Sequence, residues 1–566
     1  MSLLDSSGRA IPQSTIDRVR AKASGRGFGQ AYQGATNSGT FMGAWPARLQ
    51  SADRDWGPAR YSITARARDL RRNDPVAQAA VERKRNAAVG RGWRFISKPN
   101  ARALGIDPII ARKLGQQIST ELQLYFYSYD FQSDAERRQN FGQQLRVAAS
   151  HLFVDGEFLG KVEFADDEPT RYKTRLRLID PDRLSNPMGQ MDSATLFGGV
   201  ETNARGVPQR YWIRERHEAD VGFAAGSMIW NAHARYSTPL GRPNILHGFD
   251  ADRAGQTRGI SRFAAALKSF RGFDKYSDAT IQSAVINSLM VGYMHSSAGP
   301  EAVSESFSAQ DLGDFEADRE EFYKKNPVHL GDAILPVLPL GDDLKMQTAT
   351  KDVGSFESFV RAIIRLVAAS LGETYEEISM DYSQTNYSSA RAAAIHAWQD
   401  TVAFMGTLDA QLAKPFVVAV LEEAFDSGYI VAPPGAPEFY DAIDAYCAGR
   451  FLGPARGYID PTKEILAAAA RIEAGISTLE DECAEQGKDY EDVLDQLQFE
   501  KEQRAERGLA TEADALAAAV ADTQNAANIG SNPADAKPMN ASALARVREI
   551  ALSAEHEAFL DRRLGV

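Results

Sequence analysis

The sequence predicts an α+β protein. Three observations carry that prediction. Short strand-like runs cluster between about residues 90 and 250. Long Ala-rich helical runs cover Gly259–Met294, Phe356–Leu371 and Ser388–Ala413. A stretch rich in Ser, Glu, Asp, Gly and Pro, 296–350, stands between the first two of those runs. At 566 residues the chain exceeds the roughly 250–300 residues that one core sustains, so several structural units are expected.

Residues 1–55 are rich in Gly, Ser, Gln and Ala without periodicity and read as a flexible arm. Its GRGFG follows no strand, which argues against a phosphate loop, and Met1–Gly29 lacks the apolar core of a secretory signal. A helix is expected from Ser62 to about Ala88, carrying Arg66, Arg68, Arg71, Arg72, Arg83, Lys84 and Arg85 and broken at Pro75. Those basic residues either face an acidic partner or form a solvated face. Helices follow from Pro108 to about Phe126 and from near Phe141. The apolar runs LFV and EFLGKVEF flank Asp155-Gly156, the pattern of a hairpin turn. RLRLI and QRYWIRE read as further strands.

The run from Gly259 to Met294 reads as one helix, with Lys268, Arg271 and Lys275 at i, i+3 and i+7 on a single face. Within 296–350, Pro336 and Pro339 demote AILPVLPL to edge strands or extended arms. Over 356–371, Phe356, Phe359, Val360, Ile363, Val367 and Leu371 share one helical face, and Gly372 is the expected stop. A polar turn, MDYSQTNYSSA, leads to a helix starting near Ser388, with Ser388 or Ser389 as its cap, and ended or kinked by Pro415. After Pro433-Pro434 the chain is acidic and helical to about Arg507. Residues 509–545 read as a disordered tail before a short terminal helix.

Net charge is −12 but unevenly spread: residues 1–100 hold 18 Lys/Arg against 7 Asp/Glu, and 421–500 hold 5 against 18. Overall acidity argues against tight binding of nucleic acid, since that affinity comes from Lys/Arg contacts to phosphate. No run approaches the roughly 18 apolar residues of a membrane span. Two cysteines, Cys447 and Cys483, make no disulfide or metal framework. No GxxxxGK[ST], HExxH, GxSxG or EF-hand loop occurs. The acidic pairs Asp342-Asp343 and Glu376-Glu377 read as solvated faces, and His396 as packed or exposed. No catalytic, metal or cofactor site is expected.

The stretch from Asp381 to Arg391, DYSQTNYSSAR, resembles the DYS-x-TNYSSAR signature of lambda-type tailed-bacteriophage portal proteins. Three further segments resemble that family in the same order: RNDPVAQAAVERKRNAAVGRGWR (72–94), ILHGFDADRAGQTRGISRFAAAL (245–267) and GPARGYIDPTKE…QFE (453–500).

The resemblance implies a dodecameric ring at one capsid vertex, assembled in the host cytoplasm. The ring forms the channel for packaging and ejecting double-stranded DNA. Its partners would be the terminase large subunit, the head-tail adaptor, the major capsid protein and, as a further candidate, scaffold, with no membrane and no cofactor. Between the arm (1–55) and the tail (508–566), where the sequence departs from the family pattern and nothing is carried over, it gives the wing's α/β part (56–257) and a first stem helix (258–295). A clip (296–350), a second stem helix with its connection (351–379) and a tunnel loop (380–388) come next. A channel-side helix and wing (389–454) and a crown (455–507) complete it. Ser383, Gln384, Thr385, Asn386 and Tyr387 would then line the channel, or else form a polar turn. Lys268, Arg271 and Lys275 would form a basic stem ring, or else intersubunit salt bridges. Phe322 and Tyr323 would contact a partner from the clip, or else pack it. A ring protein of the virion that conducts no DNA remains the alternative.

Overall fold

Asp74-Pro75 divides the first helical run in two. Helix α1 (Arg60–Asn73) ends at Asp74, whose extended backbone suits a residue before proline, and α2 (Pro75–Ala88) begins where a missing amide costs little. The Asp74 carboxylate accepts the Ala77 amide at 2.8 Å and so caps α2. The structure is a computed structural model and describes residues 12–15, 49–166, 170–217, 228–237, 241–289, 321, 325, 353–383, 385–457, 461–507 and 509. The expected clip strands, the pair Phe322-Tyr323, Gln384, Asp342-Asp343, most of the arm and nearly all of the tail lie outside them. Two units are distinguished, 1–464 and 465–566.

In the first unit, β1 (Arg94–Ser97) is followed by α3 (Pro108–Phe126) and α4 (Phe141–Val154), the latter opened by a capping box between Asn140 and Gln143. The expected hairpin at Asp155-Gly156 is not there. LFV is the last turn of α4, and Gly156 is its left-handed terminator (φ +86°), its amide reaching back to the His151 carbonyl at 3.1 Å. An Asp-Gly pair serves a helix end as well as a hairpin, and here the helical period of the preceding residues decides.

Strand β2 (Glu157–Phe164) pairs antiparallel with β3 (Thr174–Ile179) on one side and β8 (Ile245–Phe249) on the other. Strands β4 (Leu196–Phe197), β5 (Val200–Thr202), β6 (Pro208–Arg214) and β7 (Trp230–Ala234) form a second antiparallel sheet in sequence order.

The expected helix from Gly259 starts only at Leu267: α5 spans Leu267–Leu289. The preceding backbone is engaged elsewhere. Gly259 N–H donates to Glu157 at 2.9 Å and Arg262 N–H to the Phe153 carbonyl at 3.2 Å. A Cβ on Gly259 would sit 2.0 Å from the Gly156 carbonyl oxygen, so only glycine permits this approach.

Helix α6 (Val353–Leu371) ends at Gly372 (φ +72°), and α7 (Tyr375–Ser379) follows. Helix α8 (Tyr387–Leu408) does not stop before Pro415. A π turn, Asp409–Ala413, carries the helical path into α9 (Lys414–Asp426). The Lys414 amide bonds the Asp409 carbonyl, five residues back, and this wider turn accommodates a proline that donates nothing. The run 389–426 has the length and hydropathy of a membrane span, which the sequence did not suggest, but half of that window is buried in the fold. Strand β9 (Gly449–Leu452) returns to pair with β1.

The main core is aromatic. Phe126 stacks on Phe141 at 4.4 Å and on Phe416 at 5.6 Å, which locks α3, α4 and α9 together. In the second unit, α11 (Leu479–Glu485) and α12 (Tyr490–Glu506) contain no buried residue; they follow α10 (Pro461–Glu473), which begins in the first unit.

Arg258, fully buried, fixes β2 against the second sheet. All five of its donors are engaged: by Glu157, by the Pro181 and Leu184 carbonyls at 2.9 and 2.8 Å, and by the Gly198 carbonyl. His247 Nε2 stands 3.0 Å from the same carboxylate. Burial alone would raise the Glu157 carboxyl, but Arg258 and His247 outweigh it and hold it well below the usual range. Arg258→Met strands a buried carboxylate and should cost about 3–5 kcal/mol, read as a lower denaturation midpoint. A midpoint equal to wild type contradicts this.

Candidate nucleic-acid interface

The polar turn between α7 and α8 is built from its own side chains. Thr374 and Glu377 form a capping box for α7, and Met380 closes that helix in the left-handed region (φ +56°). Tyr375 donates its hydroxyl to Asp381 at 2.9 Å, and Asp381 accepts the Ser383 amide at 3.0 Å. Hydrogen bonds from Ser383 and Tyr375 bring the Asp381 carboxyl down to about 2. Thr385 donates to Glu376 at 2.9 Å. Asn386 accepts the Ser389 amide at 2.9 Å and is the cap of α8, in place of the expected Ser388 or Ser389. Glu376 and Glu377 therefore hold this turn rather than forming a solvated face.

Ser383, Asn386 and Tyr382 are exposed and Thr385 is half-buried. Tyr387 opens α8, and Gln384 is outside the described residues. The turn's own exposed residues offer hydroxyl and amide groups beside a single carboxylate, with the exposed Arg83 of α2 against Met380 at its edge, so the turn itself neither grips nor strongly repels phosphate.

Behind the turn lies a buried ionic cluster that sequence reasoning missed. Lys84 of α2 is 1% exposed. Its ammonium meets Glu373 at 2.8 Å, Asp400 at 2.8 Å and the Thr401 hydroxyl at 3.2 Å. Arg262, just before α5, adds a second cation to Asp400 at 2.9 Å and stands over the Phe404 ring at 5.2 Å. Gly372 lets the chain turn here; a Cβ on it would stand 2.8 Å from the Asp400 carboxylate.

By sequence, Lys84 is one of seven basic residues on a helix expected to face a partner or solvent. Its spacing from the buried Ala77, Ala80, Val81 and Ala88 places it on the apolar stripe, and that was the available signal. Arg68 departs from both readings too: Asp155, Asp180 and Asp182 surround it. His151, Asp155 and Asp180 have the spacing of a metal site, but the Arg68 guanidinium supplies the positive charge there.

Lys268, Arg271 and Lys275 do share α5 and are all exposed. Arg271 has an intrahelical partner, Asp274. Helices α5 and α6 pack through Tyr276, whose ring lies 5.8 Å from Phe356 and 4.2 Å from Phe359. His396 is exposed on α8.

Burial pushes the Glu373 carboxyl up to about 7, against the pull of Lys84. A carboxyl raised on folding contributes stability that is fully present below its ordinary value of 4.5 and lost as pH rises through about 7. Asp400 is shifted the other way, since Lys84 and Arg262 outweigh its burial, so its own contribution changes only at lower pH. Relative to Glu373→Gln, the wild-type chain should lose on the order of 3 kcal/mol across that window. Parallel denaturation curves at pH 5 and 7.5 check this, and a difference independent of pH contradicts it. Asn386→Ala should cost about 1 kcal/mol by removing the α8 cap, read as a lower melting temperature; no change contradicts it.

Residues 38–403 match the profile of the family described as phage portal protein, lambda family. The portal protein of Escherichia phage N15 is 29% identical over 506 residues, covering 88% of this chain and 94% of its own length. Portal protein B of Escherichia phage lambda is 28% identical over 501 residues, covering 87% and 93%. Among solved structures, a chain from the neck of a native gene transfer agent particle computed with C12 symmetry is 14% identical, covers 75% of this chain and 93% of its own, and superposes with a TM-score of 0.40. The matched span takes in the α1–α2 pair, the three-stranded and four-stranded sheets, α5, α6, the Lys84 cluster and the polar turn, and on that span the chain belongs to the lambda family of phage portal proteins.

Proposed function

We propose that copies of this chain form a dodecameric ring at one vertex of a tailed-phage capsid, assembled in the host cytoplasm, through whose opening double-stranded DNA is packaged and later ejected. The observation that carries this reading is the apolar surface that α5 and α6 leave exposed among the described residues. Ile281, Phe359 and Leu366 stay exposed although the two helices already pack on each other. A ring of copies would cover such a surface. The helices after residue 465 support the same reading, because Ile476, Leu497 and Phe499 are exposed and α11 and α12 bury nothing.

A channel must centre the duplex without holding it. Dense Arg and Lys contacts release counterions from phosphate and would act as a brake. The turn of Ser383, Gln384, Thr385, Asn386 and Tyr387 is uncharged and would touch the backbone without reading sequence. Lys268 and Lys275 would supply sparse basic belts, while Arg271 is already paired within its helix. The segment 296–350, with Phe322 and Tyr323, would serve as the clip, docking the terminase large subunit and later the head-tail adaptor. Capsid protein and scaffold would meet the ring's outer surface. The ring would catalyse nothing and take its energy from the terminase.

Deleting 383–387 tests the channel role. Rings with a central opening should still be seen by negative-stain microscopy, while DNA packaged per particle falls by about tenfold or more. Normal packaging by intact rings contradicts the role and favours a ring that conducts no DNA.

A further inference from the structure

Arg60 opens α1 and is 6% exposed. Its guanidinium stacks on the Tyr61 ring at 4.7 Å, and among the described residues no carboxylate lies within ion-pair distance of it. The obvious candidates are already engaged. Glu157 is held by Arg258 and His247, and Asp155, Asp180 and Asp182 surround Arg68. Arg60 also stands beside Arg258, because a Cβ on Gly198 would lie 3.4 Å from Arg60 Nη1 and 3.2 Å from Arg258 Nη1. A buried cation beside another cation is costly unless an anion reaches it.

Arg60 lines a cleft of about 380 Å³ between α1 and the Pro181–Ser185 segment. Arg183 lines the same cleft and among the described residues donates to neutral groups, the Arg214 carbonyl at 2.9 Å and the Glu215 carbonyl at 2.6 Å. Ser185 is buried on the same wall and accepts the Trp230 indole N–H at 3.0 Å, which leaves its own O–H to donate. The cleft therefore holds positive charge in excess of its carboxylates, in fork-shaped donors that match tetrahedral oxyanions.

We propose that this cleft is an anion site that takes a phosphate group between Arg60 and Arg183. The phosphate is either the free ion or part of a nucleic-acid backbone. The site lies on the α/β part of the first unit, and the argument for it is independent of the channel reading.

Thermal melting of the full-length chain tests it, with phosphate replacing chloride at constant ionic strength and, separately, with a short DNA duplex. Wild type should show a saturable upward shift. Arg60→Gln and Arg183→Gln should each weaken the half-saturating concentration about tenfold or more. In phosphate-free buffer Arg60→Gln should melt no lower than wild type, because burial and the neighbouring Arg258 cation outweigh the attraction of Glu157 for this charge; if that variant does not fold, Arg183→Gln decides. A shift with phosphate assigns the free ion, and an Arg60-dependent shift with duplex alone assigns the backbone. Absence of any shift that depends on these arginines overturns the proposal.

Discussion

The burial of one ammonium group constrains this structure more than any other single contact. Lys84 cannot lose its water without close counter-charges, because an isolated ion in the interior costs several kcal/mol. Asp400 supplies the counter-charge, Glu373 adds a polar partner at 2.8 Å whose carboxyl burial pushes up to about 7, and Arg262 completes the cluster. Those residues belong to four segments far apart in sequence: helix α2, the turn into α5, the end of α6 and the long helix α8. The start of α5 and the end of α6 are thereby tied to one point. The Tyr276–Phe356 contact farther along runs the two helices antiparallel from that root. Gly372 and the cap at Asn386 then set where the polar turn stands relative to it.

The charge pattern takes on a different meaning once the fold is known. The first hundred residues carry a large basic excess, which suggests an electrostatic surface. Lys84 and Arg68 are instead absorbed by internal carboxylates. Farther along the chain Arg258 is consumed by Glu157 and three carbonyls. These contacts act as selective fasteners, because breaking one partner is far costlier than the net gain of the pair. Part of the positive charge counted in the sequence is therefore spent inside the fold rather than on its surface. Arg60 differs from these three as a buried cation with no carboxylate within ion-pair distance among the described residues.

Much of the fold was legible in the sequence, and the rest was hidden for identifiable reasons. Pro75, Pro108 and Gly372 mark true helix boundaries because each enforces a local backbone state. The family resemblance at 381–391 and 72–94 pointed correctly to the lambda portal family. Asp155-Gly156 misled, because a left-handed glycine serves a helix terminus and a hairpin equally. At Pro415, where an end or a kink was expected, the helical path does not end, because a π turn absorbs the proline. The start of α5 was hidden because glycine contacts between 156 and 259, distant in sequence, consume the backbone before Leu267. Of the candidate channel residues, Ser383 and Asn386 are exposed, yet Asn386 and Thr385 also have internal duties as cap and as partner of Glu376. The ionic cluster was hidden because a buried lysine on an alanine stripe looks like one more member of a basic face.

Native-state hydrogen exchange on the Lys84→Met protein tests the central claim most directly. If the buried ammonium ties the helix roots to the polar turn, amides in 263–270 and 374–386 should exchange about tenfold faster or more, while the β2–β3 amides keep their protection. Unchanged exchange at both helix roots, or loss spread evenly over the sheets, would contradict the account.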